Sequence, residues 1–314
     1  MKKLIPLLLL TLLAIGRPAW AVKISVNQFV EHPALDSSVQ GFKDALADEG
    51  FKDAVFTIHV AQANTATVLQ IVSQILGEKP DLVLAVATPS AQATAQKIKD
   101  IPVLFTAVTD PLNARLVDSM ERPGHNVTGT TDMSPIEAQV ALIREIHPQA
   151  KTMGVIYNAG EANSVVLVGL LKTAAAKNGF ELKEAVTPNT AGVYQAAKSL
   201  VGGVDVIYLP TDNTVISSQD SVVKICLENK IPLYPGEADA VRKGGVASLA
   251  ISYYELGRQT GVQAARILRG EARPADMPVE TLKETTLVVN LPFAESLGLS
   301  LPQSVLERAQ ETIK

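Results

Sequence analysis

One cysteine, one tryptophan and four histidines occur in 314 residues. The lone cysteine, Cys226, cannot close a disulfide within the chain, so the fold must rest on its core. It lies in the apolar helical stretch Val222 to Leu227, which reads as a buried structural thiol rather than a reactive one. No histidine has a second at metal-ligand spacing, and H-E-x-x-H is missing. The dinucleotide fingerprint G-x-G-x-x-G, the phosphate loop G-x-x-x-x-G-K-[ST] and the nucleophile elbow G-x-S-x-G are missing as well. These absences weigh against dehydrogenase, phosphate-loop and hydrolase chemistry. No acid/base or nucleophile pair stands out, so no catalytic residue, metal or cofactor is expected.

The amino terminus is a segment apart. Met1-Lys2-Lys3 is basic, Leu4 to Ile15 is almost wholly apolar, and Ala19-Trp20-Ala21 is a small-x-small cleavage triplet. Residues 1–21 therefore read as an export signal, with Val22 as the first mature residue. The apolar stretch is short for a membrane span, and no later stretch reaches that length. No cysteine lies near the cleavage point, so a lipid anchor is not expected there. The mature protein is expected free in an oxidising extracytoplasmic space. Cleavage removes Lys2, Lys3 and Arg17 and no acid, which takes the net charge from -4 to -7, 25 basic against 32 acidic residues. A mildly acidic protein is a poor partner for nucleic acid or an anionic membrane. The single tryptophan, Trp20, leaves with the signal.

Beyond the signal, short apolar strand runs alternate with amphipathic helix runs. Lys23 to Val30 reads as a strand, and Leu35, Val39, Phe42 and Leu46 fall on one face of a following helix. Phe56 to Val60 reads as a strand, and Val68, Val72, Ile75 and Leu76 mark a helix with Gly77 as its stop. Leu82 to Ala87 is continuously apolar, the mark of a strand covered on both faces. A helix over Ser90 to Ile98 and a strand over Val103 to Val108 complete the first series. Asn126 to Thr131 is expected to cross into a second series, which opens with a helix at Ile136. It continues through strands at Met153 to Tyr157, Glu181 to Val186, Val204 to Leu209 and Leu233 to Tyr234. Helices at Asn163 to Lys177, Val193 to Leu200 and Val215 to Glu228 lie between them. Val246 to Ile251 is expected to return to the first series, Tyr254 to Leu268 to be a helix, and Thr285 to Val289 to cross again. This α/β alternation predicts two doubly wound parallel-sheet lobes joined by a hinge of three parallel segments. Residues 22–128 with 252–280 form one lobe, and 129–251 with 281–314 the other.

Ligands of open parallel sheets bind beyond the carboxyl ends of the strands. The loops there are polar in both halves. Thr88-Pro89-Ser90 and Asn163-Ser164 precede helices, where hydroxyls and free N–H groups can cap the helix or hold a carboxylate. Asp110, Glu161, Asp212 and Glu237 are acids at the expected cleft edges; each reads as a helix cap, a hinge ion pair or a partner for a ligand ammonium. Asn158, Asn163 and Asn213 offer donors and acceptors, which suits a zwitterion. His32 is the one histidine at a cleft edge. Phe29, Tyr157, Tyr208, Tyr234, Tyr253 and Tyr254 lie on or beside strands, most of them as core.

Several segments carry a resemblance. They are Ala87-Thr88-Pro89-Ser90-Ala91-Gln92, Phe105 to Pro111, Asn126-Val127-Thr128-Gly129-Thr130, Gly154 to Asn158 with Glu161 to Ser164, Pro210 to Thr214, and Ser252 to Gly261. Together, over nearly the whole mature chain, they resemble the ABC transporter substrate-binding proteins that include tryptophan- and tyrosine-binding lipoproteins. The resemblance implies a periplasmic binding protein of type I. It implies an aromatic or apolar α-amino acid as the ligand and an inner-membrane ABC permease as the partner. It also puts binding positions at Thr88, Ser90, Asp110, Asn158, Glu161, Asn163, Ser164, Asp212 and Asn213. This chain departs from the lipoprotein members in lacking the lipidated cysteine.

The reading is a monomeric solute receptor without catalysis. The ligand carboxylate would meet Ser90 or Asn163-Ser164, and an acid such as Asp212 or Glu161 would take the ammonium. Two other classes stand beside it: a ligand-sensing subunit for a membrane signalling partner, and an extracytoplasmic enzyme.

Overall fold

The computed structural model describes residues 21–282 and 284–314, so the export signal expected at residues 1–21 lies outside the described residues, Ala21 apart. The first run of elements is β1 (Lys23–Gln28), α1 (Pro33–Asp48), β2 (Val55–Val60), α2 (Thr65–Glu78), β3 (Leu82–Val86), α3 (Thr88–Lys97), β4 (Val103–Val108) and β5 (Val127–Thr131). The second is α4 (Ile136–Ile146), β6 (Thr152–Tyr157), α5 (Ala162–Lys177), β7 (Glu181–Val186), α6 (Val193–Ser199) and β8 (Val206–Leu209). It continues with α7 (Asn213–Ser217), α8 (Gln219–Asn229), β9 (Leu233–Pro235), α9 (Ala238–Gly244) and β10 (Ala247–Ala250). The chain finishes with α10 (Tyr253–Leu268), β11 (Glu280–Thr281), β12 (Thr286–Asn290), α11 (Leu291–Ser296), α12 (Gln303–Arg308) and β13 (Glu311–Ile313).

Two parallel sheets result. The first runs β11-β5-β4-β3-β1-β2 and the second β7-β6-β8-β9. β3 and β4 are buried along their whole length because helices cover both faces. β2, at the sheet edge, leaves Val55 and Ile58 exposed. Each sheet has its own apolar core, so the molecule is a two-lobed α/β protein. Cys226 is buried in the second core, and burial pushes its thiol up to about 12, so it is inert at neutral pH.

The face of α1 that carries Leu35, Val39, Phe42 and Leu46 is buried, as its spacing predicts. Its main helical neighbour is α10. The two backbones touch: a Cβ on Gly41 would lie 2.1 Å from the Tyr254 carbonyl oxygen, and one on Gly257 would lie 1.8 Å from that of Ser38. Only glycine permits this approach.

Several expectations need correction. The boundary expected at residue 128 falls inside β5, which stays hydrogen-bonded to β4 as far as Thr131. The hinge is not a set of parallel segments. β10 leads out of the second lobe and β12 leads back, so the two pair antiparallel, with β13 parallel to β12 in a small third sheet. In α2 the buried face is Val68, Ile71, Val72 and Ile75, and Leu76 is exposed. Gly77 lies within that helix; the stop is Lys79, left-handed at φ 51°, followed by Pro80. The single helix expected over Val215 to Glu228 is two, α7 and α8, broken at Ser218.

Candidate functional site

The carboxyl ends of both parallel sheets face each other across a narrow gap. From the first lobe His32, Leu35, Ala107 and Thr109 line it, with Asp132 and Tyr253 at the crossings. From the second come Asn163, Thr211, Asp212, Asn213, Ile216 and Glu237. The space between atoms is about 240 Å³, of which about 10 Å³ can take the centre of a water molecule. The lobes are therefore closed on one another, and a ligand enters only if they part.

The acids of the second lobe divide by what they already hold. Glu161 follows β6, and its carboxylate reaches the start of α7. It accepts the Thr214 backbone N–H at 2.9 Å, the Thr214 hydroxyl at 2.7 Å, the Asn213 backbone N–H at 3.3 Å and the Asn213 side-chain amide. Asp212 caps α7 through the Val215 N–H at 2.8 Å. Its other oxygen accepts the Asn158 N–H and the Ser164 hydroxyl, both at 2.6 Å. Burial and the neighbouring Glu161 charge raise its carboxyl to about 8. These two acids, named in the sequence as partners for an ammonium, are braces between the β6–α5 and β8–α7 loops. Both oxygens of each are in use within the lobe.

Other groups have no partner. Buried polar atoms without a hydrogen bond include His32 Nδ1, Thr88 Oγ1, Asn163 Oδ1, Thr211 Oγ1 and Glu237 Oε1. All five follow the carboxyl ends of strands of the two parallel sheets, His32, Thr211 and Glu237 just before a helix and Thr88 and Asn163 in the first turn of one. His32 Nδ1 and Glu237 Oε1 face each other across the gap at 3.9 Å. Burial raises Glu237 well above the usual carboxylate range, with the charges of Asp239 and Asp132 adding to it. Asp132 is buried between the Tyr253 hydroxyl at 2.6 Å and the Thr109 hydroxyl at 2.9 Å, and burial raises it too. No lysine or arginine is among the buried residues of the described chain. Buried carboxylates without a buried cation form a site that favours a positive ligand group.

The backbone is strained at the same place. Ala87, which precedes α3, lies at φ 77°, ψ 156°, and Ala107, at an irregularity in the β4–β5 pairing, lies at φ 56°. Both are non-glycine residues in a region alanine rarely adopts.

Of the residues named in the sequence, Asn163, Asp212, Asn213 and Glu237 line the gap. Thr88, Ser90, Glu161 and Ser164 are buried without lining it; the Ser90 hydroxyl donates to Asn27 at 3.3 Å. Asp110 caps its own turn through the Leu112 and Asn113 N–H groups, and Asn158 bonds Thr214 at 3.0 Å; neither lines the gap. Thr109, Asp132 and Thr211 line it without having been chosen as binding residues, and His32 and Tyr253 had been noted only for their positions. The strand-end rule covers Asp132 once β5 is counted as a sheet strand. Among the described residues no group of three or more His, Cys, Asp or Glu could hold a metal, and no helix is long and apolar enough to cross a membrane.

The family described as ABC transporter substrate binding protein matches residues 23–313. The chain belongs to this family. It is 43% identical over 279 residues to a tyrosine-binding protein of Clostridioides difficile, covering 88% of this chain and 81% of that one. A Vibrio cholerae conserved domain protein has a structure with TM-score 0.91 at 44% identity, covering 93% and 100% of the two chains. An ABC domain from Streptococcus pneumonia in complex with L-Trp gives TM-score 0.90 at 37% identity, covering 94% and 100%. The ligand-free, open structure of a substrate-binding protein from Clostridium difficile gives only 0.69 despite 44% identity, covering 93% and 99%. In shape this substrate-binding protein is nearer to the L-Trp complex than to the open form, which agrees with its closed gap. Family and relatives are binding proteins, not enzymes.

Proposed function

We propose that this protein captures an aromatic or apolar α-amino acid between its lobes, in the periplasm, and presents it in the closed form to an inner-membrane ABC permease. One observation carries the reading. Glu237 and Asp132 are buried at the gap with no buried cation to answer them, while hydroxyls without partners stand nearby. A zwitterion supplies the missing positive charge and an acceptor for a free hydroxyl. Its ammonium goes to Glu237 and Asp132, the gap acids that do not brace the α7 loop. Its carboxylate goes to the Thr211 hydroxyl, which lines the gap and has no partner. Leu35, Ala107 and Ile216 give its side chain apolar contact. Such contact discriminates by only about 1–3 kcal/mol per methylene, so related amino acids share the site. A tyrosine-binding relative and a relative solved with L-Trp support the aromatic choice.

The test is native mass spectrometry of protein purified without added ligand, followed by calorimetry with each common amino acid. An aromatic amino acid is expected in the bound fraction and as the tightest titrant. A protein that carries no amino acid and gives no heat with any of them overturns the reading. Because Trp20 is the only tryptophan, emission from bound L-tryptophan is unobscured in protein lacking residues 1–21. Capture of permease subunits from solubilised inner membranes, in the presence of the amino acid, tests the delivery step.

A further inference from the structure

We propose that His32 is the acceptor through which the closed gap reads the ligand ammonium, so that recognition of that group and closure are one event. The inference rests on the amino-acid reading above and adds a residue to it.

His32 follows β1 in the first lobe and stands at the start of α1, but it makes no side-chain cap there. Its ring is buried, and the groups it faces lie in the other lobe. Nδ1 points toward Glu237 Oε1 at 3.9 Å, and both atoms lack a hydrogen bond. That separation is too long for a direct bond, so a third group must satisfy both. The Asn213 side chain lines the gap with His32. Asn213 donates its amide to Glu161, which leaves its carbonyl oxygen free to accept. The proposal requires the Nε2–H tautomer, in which that oxygen can take the Nε2 proton and the neutral ring keeps Nδ1 as an acceptor. Burial keeps the ring neutral, lowering it to about 4.

In that tautomer the polarity runs one way, from His32 to Asn213 to Glu161. What lies between His32 Nδ1 and Glu237 must donate in two directions. An ammonium has three N–H donors and also answers the carboxylate charge. A water can donate twice but brings no charge. Since His32 belongs to one lobe and Asn213 and Glu237 to the other, this set of acceptors exists only when the lobes meet.

The test uses L-tryptophan and 3-indolepropionate, which keeps ring and carboxylate and lacks the ammonium. Wild type is expected to prefer L-tryptophan strongly. His32→Ala is expected to lose about 30-fold or more in L-tryptophan affinity and less than about threefold for 3-indolepropionate. Nitrogen NMR of the wild-type imidazole, independent of any variant's folding, is expected to show the Nε2–H tautomer, with Nδ1 shifting when L-tryptophan binds. Equal losses for both ligands in the variant, equal wild-type affinities, or an Nδ1–H tautomer would each overturn the proposal. A wild type that binds no amino acid removes both this proposal and the function it rests on. A wild type that binds L-tryptophan beside a variant with unchanged preference removes only this one.

Discussion

The two lobes prepare the gap in different ways. The second lobe cross-braces its loops: Glu161 and Asp212 tie the residues after β6 to the start of α7 with six hydrogen bonds, and Asp212 also caps α7. On the first-lobe side Asp132 is held between the Thr109 and Tyr253 hydroxyls. His32 and Thr88 lack partners, and Ala87 and Ala107 hold strained backbone. Buried acids of similar appearance thus do opposite work. Those whose oxygens are full hold a lobe in shape, and the one with a bare oxygen, Glu237, waits for a partner. Partnerless atoms stand on both sides of the gap, His32 and Thr88 in the first lobe and Asn163, Thr211 and Glu237 in the second, so closure is decided by what lies between them.

The largest effect expected from breaking this contrast is in the braced lobe. Glu161→Ala leaves two backbone N–H groups and two side chains at the start of α7 without their acceptor, at a cost of about 3 kcal/mol or more. Thermal unfolding should show a drop of several degrees before any ligand is added; an unchanged midpoint would mean that Glu161 is no brace.

Glu237→Gln should do the reverse. L-tryptophan or L-tyrosine affinity is expected to fall about 100-fold, roughly 2.7 kcal/mol, while the ligand-free protein stays as stable as wild type or gains. The gain has a pH signature. Burial raises Glu237, so folding holds its proton at pH values where the unfolded chain has released it. Its contribution is present below the unfolded value and is lost as pH rises toward the folded one. Glutamine does not titrate, so the advantage of the variant should grow from pH 5 to pH 8 in denaturant melts. A constant difference would contradict the assignment.

A smaller effect is expected at the strained backbone. Ala87→Gly relieves the φ 77° conformation and should stabilise the ligand-free protein by up to about 1 kcal/mol. Smallest of all is Asp110→Ala. Asp110 caps an exposed turn and does not line the gap, so amino-acid affinity should change by less than about twofold.

Much of this architecture can be read from the chain alone, because strand ends announce themselves. Leu82 to Val86 and Val103 to Val108 are apolar throughout, and the polar residues that follow each strand mark the gap. What stays hidden is which polar residue is satisfied. Asp212 and Glu237 each precede a helix, and nothing in either local sequence says that one reaches three donors and the other none at Oε1. That difference depends on loops meeting from distant parts of the chain. α9 escapes notice for another reason: it spans only Ala238–Gly244, too short for a helical period to show, and ends in Arg242 and Lys243. Asp132 is missed because β5 reads as a crossing, although it is also a sheet strand with a loop at its end.

The backbone contact between Gly41 and α10 bears on the order in which the molecule is made. α1 lies near the start of the chain, yet the helix that seals it spans Tyr253–Leu268, after all of β6 to β10. A polypeptide emerging amino end first leaves the Ser38, Gly41 and Ala45 side of α1 without its neighbour until the last fifth arrives, whereas the β6–β9 sheet and its helices are complete well before. Pulse-labelling hydrogen exchange should therefore find β6 and β8 protected earlier than α1. A bulkier residue at Gly257 should delay the late step and leave the early one alone.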